Sequence, residues 1–67
     1  MPKVLIVHNE READEKVFHV YRESDADEIQ VVVYSEREAD KKVFIVHRKS
    51  QADKKVYMPN FSFEEWG

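Results

Sequence analysis

Apolar and polar residues fall in regular blocks along this chain. The apolar runs are Val4-Leu5-Ile6-Val7-His8, Val17-Phe18-His19-Val20-Tyr21, Val31-Val32-Val33-Tyr34, Val43-Phe44-Ile45-Val46-His47 and Val56-Tyr57-Met58. Being rich in β-branched and aromatic residues, they predict five short strands. Polar stretches separate them, at 10–15, 23–28, 36–41 and 49–54, each with a single Ala. Each predicts a connector of about one helical turn. In two of them a Ser stands three residues before an Asp, Ser24 to Asp27 and Ser50 to Asp53, a spacing that can cap such a turn.

The blocks are a repeat. An Ala-Asp pair recurs at Ala13-Asp14, Ala26-Asp27, Ala39-Asp40 and Ala52-Asp53, always 13 residues apart. This divides the chain into one domain of repeats at about 4–16, 17–29, 30–42 and 43–55, with a partial copy at 56–60 and an aromatic tail at 61–67. A longer period of 26 is also present: Glu10–Asp27 matches Glu36–Asp53 at 13 of 18 positions, against 9 of 18 for Glu23–Asp40.

Parallel neighbours need a crossover of about a dozen residues. The short connectors therefore predict a mainly β fold: an antiparallel meander of about five short strands, built from a 26-residue hairpin unit. A compact β-solenoid is the alternative, disfavoured because it would stack Asp14, Asp27, Asp40 and Asp53 in one like-charged column. The period of two along a strand puts Leu5, Val7, Phe18, Val20, Val31, Val33, Phe44, Val46 and Tyr57 on one apolar face, the expected core. Val4, Ile6, His8, Val17, His19, Tyr21, Val32, Tyr34, Val43, Ile45, His47 and Met58 form the other, which needs its own cover. The tail breaks the repeat: Pro59 stands where earlier strands have Val, and Phe61, Phe63 and Trp66 follow. They are expected to fold across the uncovered sheet face or to meet a partner.

The residues Ser24-Asp25-Ala26-Asp27, Ala39-Asp40-Lys41-Lys42-Val43-Phe44 and Ser50-Gln51-Ala52-Asp53-Lys54-Lys55-Val56-Tyr57 resemble small bacterial proteins built from tandem Ser-x-Ala-Asp repeats. The likeness covers about residues 10–58. It implies a domain of unknown function and supplies no activity or site residues. Arg11 and Arg37 depart from it at the Ser position.

Charge sharpens the picture. Residues 10–28 carry eight acids and three bases, and residues 41–55 six bases and one acid, so the chain is a charge dipole in sequence. Val4 to Val7 is too short for a signal core or a membrane span, and a cytoplasmic location is the expectation. Without Cys there is no disulfide or thiolate chemistry, and a single Gly at position 67 excludes a Gly-rich phosphate loop. His8 and His47 share a repeat phase with Tyr21 and Tyr34 and are expected at strand ends, too far apart in a meander to share a metal. His19 replaces an aliphatic residue. No catalytic set, metal site or cofactor is expected, and the chain is not expected to be an enzyme. The function expected is a self-associating interaction or structural module, a dimer drawn together by its acidic and basic halves. The candidate interaction residues are Phe61, Phe63 and Trp66 with Lys41, Lys42, Arg48, Lys49, Lys54 and Lys55. The alternative is single-stranded nucleic-acid binding through the same basic half.

Overall fold

The computed structural model describes residues 1–61. Its strands are β1 (Lys3–Ile6), β2 (Glu15–Val20), β3 (Glu28–Ile29), β4 (Val31–Val33), β5 (Lys41–Val46) and β6 (Lys54–Tyr57). They form one sheet in the order β3-β6-β2-β5-β1-β4. Every pair in it is parallel. This overturns the antiparallel meander, and it is not a solenoid either, because consecutive repeats are never neighbours.

Only Gln30 separates β3 from β4. The Gln30 N–H donates to the Tyr57 carbonyl on the β6 side at 2.9 Å, and the Val31 N–H donates to the Pro2 carbonyl on the β1 side at 2.9 Å. One bent strand thus pairs with β6 through its first half and with β1 through its second, drawing the sheet round into a ring of five. Each connector skips one neighbour: β1 to β2 passes β5, and β2 to β3 passes β6.

The crossover rule fails here because of stagger. Paired residues on neighbouring strands lie either 28 or 37 positions apart in sequence, which is two repeats plus two residues or three repeats less two. Ile6 pairs with Val43, and Val43 pairs with Glu15, so the end of β1 lies level with the start of β2. The connector has no strand length to run back along and only crosses β5 sideways. Three connectors do so with a single 3-10 turn, Glu10–Glu12, Glu23–Asp25 and Lys49–Gln51.

The recurring Ala-Asp pair has a double task. Each Ala N–H closes the turn by donating to the residue three before it, as Ala26 does to Glu23 at 3.1 Å. Each Asp then clasps a lysine backbone on the strand beside it. The Asp14 N–H donates to the Lys42 carbonyl at 2.8 Å, and the Lys42 N–H donates to Asp14 Oδ2 at 2.8 Å. Asp27 with Lys55, Asp40 with Lys3, and Asp53 with Lys16 repeat this clasp. The carboxylates therefore do not cap their own turns, and Ser24 and Ser50 lie inside the turns. Of the three 3-10 turns only the first has a side-chain cap, Asn9, which accepts from the Arg11 N–H at 3.0 Å. Asp27→Ala is expected to lower stability by about 1 kcal/mol while Asp27→Asn, which keeps an acceptor, loses less; urea unfolding of the two variants measures this.

The core is built mainly from the face opposite to the one expected, although Val20 and Val46 of the expected face are buried as well. Val4, Val17, Gln30, Val43 and Val56, one per strand at the same repeat position, are all 0% exposed. Above them lie Ile6, His19, Val32, Ile45 and Met58, of which all but the half-buried Ile45 are buried. A ring of so few strands has a narrow bore that side chains must fill, and Val and Ile fit it. The larger Leu5, Phe18, Phe44 and Tyr57 stay outside, half-buried, on the side the connectors cross.

Candidate functional site

A parallel ring places all strand starts at one mouth and all strand ends at the other, so each repeat position becomes a ring of side chains. At the N-terminal mouth the position just before the core supplies Glu15, Glu28, Lys41 and Lys54. Lys41 Nζ is 2.9 Å from Glu15 and 3.0 Å from Glu28, and Lys54 Nζ is 3.3 Å and 3.4 Å from the same two residues. From beneath, Gln30 Nε2 donates to Glu15 at 3.0 Å and to Glu28 at 2.7 Å. The bond from Gln30 is the main reason that the Glu28 carboxyl is lowered to about 2; partial burial opposes it, and Lys41 and Lys54 reinforce it. Burial pushes the Glu15 carboxyl up, but bonds from Lys41, Gln30 and Lys54 outweigh it and the net shift is downward. Burial likewise opposes the Lys41 ammonium, and the two glutamates raise it nonetheless. Both stretches of the sequence charge dipole contribute to this cluster, so part of that dipole is neutralised within one chain.

At the C-terminal mouth the position after the core supplies His8, Tyr21, Tyr34, His47 and Asn60, all exposed. Round the ring the order is Tyr34, Asn60, Tyr21, His47, His8. The Asn60 amide acts as a fragment of strand: its Oδ1 accepts from the Val32 N–H at 2.9 Å, and its Nδ2 donates to the Val32 carbonyl at 2.9 Å. Below the rim the His19 ring meets Tyr21 edge-on at 5.1 Å and Phe61 at 5.9 Å. Burial lowers the His19 imidazole below its ordinary range. The pairing of Phe18 with Val46 makes His19 and His47 the next pair across β2 and β5. They line a hollow of about 170 Å³ with Phe18, Tyr21, Ile45 and Val46.

The basic residues singled out from sequence are dispersed. Lys41 and Lys54 belong to the ionic cluster, Lys42 lies 2.8 Å from Glu36, Arg48 and Lys49 follow β5 beyond the rim, and Lys55 lies on β6. Of the aromatic candidates Phe61 is buried against the core, while Phe63 and Trp66 lie outside the described residues. Closure brings His8 and His47 onto adjacent strands. Among the described residues no group of three or more His, Asp or Glu is placed to hold a metal ion, and no helix is long and apolar enough to cross a membrane. The rim was visible in sequence only as a shared repeat phase.

The 7(1) septoil knot domain family matches residues 2–66. The chain belongs to the septoil knot domain family. The match supports the small repeat domain that the resemblance implied, and this is its family. Membership agrees with the ring order, since a chain that skips one neighbour at each step travels more than once around its barrel. The matched span is five units of 13 residues, one more than the Ala-Asp pairs display, and it extends the septoil knot domain through the aromatic tail. No curated protein and no solved structure matches the chain significantly.

Proposed function

We propose that the chain is a non-enzymatic interaction module that self-associates through its C-terminal mouth. The observation that carries this reading is Tyr21 and Tyr34, each 74% exposed, on the rim of one mouth. Tyrosine brings a large contact area and a polar tip at small entropic cost, and it is enriched where binding energy concentrates. Two mouths facing each other would form a two-fold interface of identical patches. Attraction between acidic and basic halves is not needed for it. The contact is small, so a weak, concentration-dependent dimer is expected.

Light scattering at two protein concentrations and two salt concentrations tests this. The expected result is a dimer that grows with concentration and is little affected by salt, and that Tyr21→Ala/Tyr34→Ala reduces to a cooperatively folded monomer. A monomer at every concentration would overturn the proposal. Single-stranded nucleic acid is the competing ligand, since Arg48 and Lys49 follow the rim residue His47 and bases stack on exposed tyrosine rings. Retention of an oligonucleotide in a low-salt filter assay by a monomeric chain would favour it instead.

A further inference from the structure

The repeat position at the N-terminal mouth is filled, in chain order, by Pro2, Glu15, Glu28, Lys41 and Lys54. Along the chain the two acids are consecutive, and so are the two bases. Round the mouth they are not: the strand order gives Glu28, Lys54, Glu15 and Lys41, with Pro2 between Lys41 and Glu28. The charges alternate, and the uncharged residue falls where a ring of five cannot alternate. Pro2 is tied to that place by its carbonyl, which accepts from the Val31 N–H on the bent strand at 2.9 Å.

We propose that this order of charges is what selects the interleaved ring over one built from consecutive repeats. Five strands joined by equal steps can close a parallel ring in only two ways, by taking the next place or by skipping one. The apolar layer hardly tells them apart, because Val4, Val17, Val43 and Val56 are four identical copies, all 0% exposed. The mouth does. Consecutive order would set Glu15 beside Glu28 and Lys41 beside Lys54, two like-charged neighbours against one unlike pair, Glu28 with Lys41. Skipping one place gives three unlike neighbours and no like ones. All three pairs are formed: Lys41 lies 2.9 Å from Glu15, and Lys54 lies 3.3 Å from Glu15 and 3.4 Å from Glu28. Unlike charges on adjacent strands are favourable and like charges unfavourable, and the four side chains are only 15% to 29% exposed, so water screens them in part. Gln30 adds to the choice, since its Nε2 reaches both Glu15 and Glu28, two acids brought within reach of one amide with Lys54 standing between them in the ring. Specificity of this kind comes from repulsion built against the competing arrangement as much as from attraction in the native one. It resides in the order of the copies, not in any single copy, and it does not depend on what the rim binds.

Two variants of unchanged composition separate charge order from charge content. Glu28→Lys/Lys41→Glu alternates the charges along the chain, so the interleaved ring acquires two like-charged neighbours and the consecutive ring loses both of its own. Glu15→Lys/Glu28→Lys/Lys41→Glu/Lys54→Glu inverts every charge, keeps the alternation round the interleaved ring, and lets the Gln30 amide turn its oxygen toward the introduced bases. Urea unfolding and the NMR contact between Val17 and Ile45, which are paired across β2 and β5, read the two out. The expected result is that the four-fold inversion unfolds cooperatively near the natural midpoint and keeps the contact, while the two-fold swap loses the contact, whether by unfolding or by adopting another strand order. A swap that keeps the Val17 to Ile45 contact would overturn the proposal. So would an inversion that unfolds as the swap does, because the particular residues, and not their order, would then decide the fold.

Discussion

A chain cut after Gln51 is expected to lose cooperative folding altogether. The cut removes β6, which pairs with β2 through residues 54–57 and with β3 through Val56 and Tyr57. It also removes Val56 and Met58 from the core and Lys54 from the ionic cluster. In a solenoid the last unit touches only its neighbour, so trimming it subtracts one increment of stability. Here the last strand lies between the second and the third, and its loss opens the ring in the middle. Circular dichroism with thermal melting tests this: the truncated chain should show no sigmoidal transition. A cooperative melt in it would mean that β1 to β5 hold together without closure. The same interleaving makes folding slow, since every strand pair joins segments 28 or 37 residues apart and so carries the loop-closure cost of non-local contacts.

Acid should weaken the barrel progressively as pH falls from 4.5 toward about 2, and Lys41→Met should remove much of that pH dependence. Glu28 is lowered from 4.5 to about 2, so its contribution is complete above its unfolded value and is lost as pH falls from there through the folded value. A shift of this size corresponds to about 3 kcal/mol at full strength. The Glu28 side chain is 29% exposed, and with water screening about 2 kcal/mol is expected at neutral pH. Lys41 has the opposite sign: its raised value gives stability that is complete below its unfolded value and is lost as pH rises through the folded one. Lys41→Met leaves Glu15 and Glu28 facing each other with Lys54 as their remaining cation in the cluster, and a loss of about 2–3 kcal/mol is expected, below the range for fully buried pairs because the cluster meets solvent. Urea unfolding between pH 2 and pH 7 measures both. A natural chain whose stability is unchanged as pH falls from 4.5 to about 2, or a Lys41→Met variant with an unchanged profile, would show that the cluster contributes nothing to folding.

The sequence by itself determined the strands, the connectors and their common period, because β-branched runs and polar breaks with Ala-Asp are local signals that survive any arrangement. It also held the rim, as the shared phase of His8, Tyr21, Tyr34 and His47, and the future ionic cluster, as the shared phase of Glu15, Glu28, Lys41 and Lys54. Only the tertiary structure decided which copies meet. The pairing partner of Val4 is Lys41 on one side and Val32 on the other, and nothing within one repeat distinguishes these from nearer copies, since all copies offer similar strands. Connector length argued for antiparallel neighbours, but that argument assumes strands that start level, and a two-residue stagger at each step removes the assumption. Stagger also closed the ring, and the narrow bore of five strands then chose Val over Phe for the interior, which leaves Val20 and Val46 as the buried members of the face expected to form the core. Parallel closure, finally, turned single residues scattered along the chain into two rings, one of paired charges and one of tyrosine and histidine.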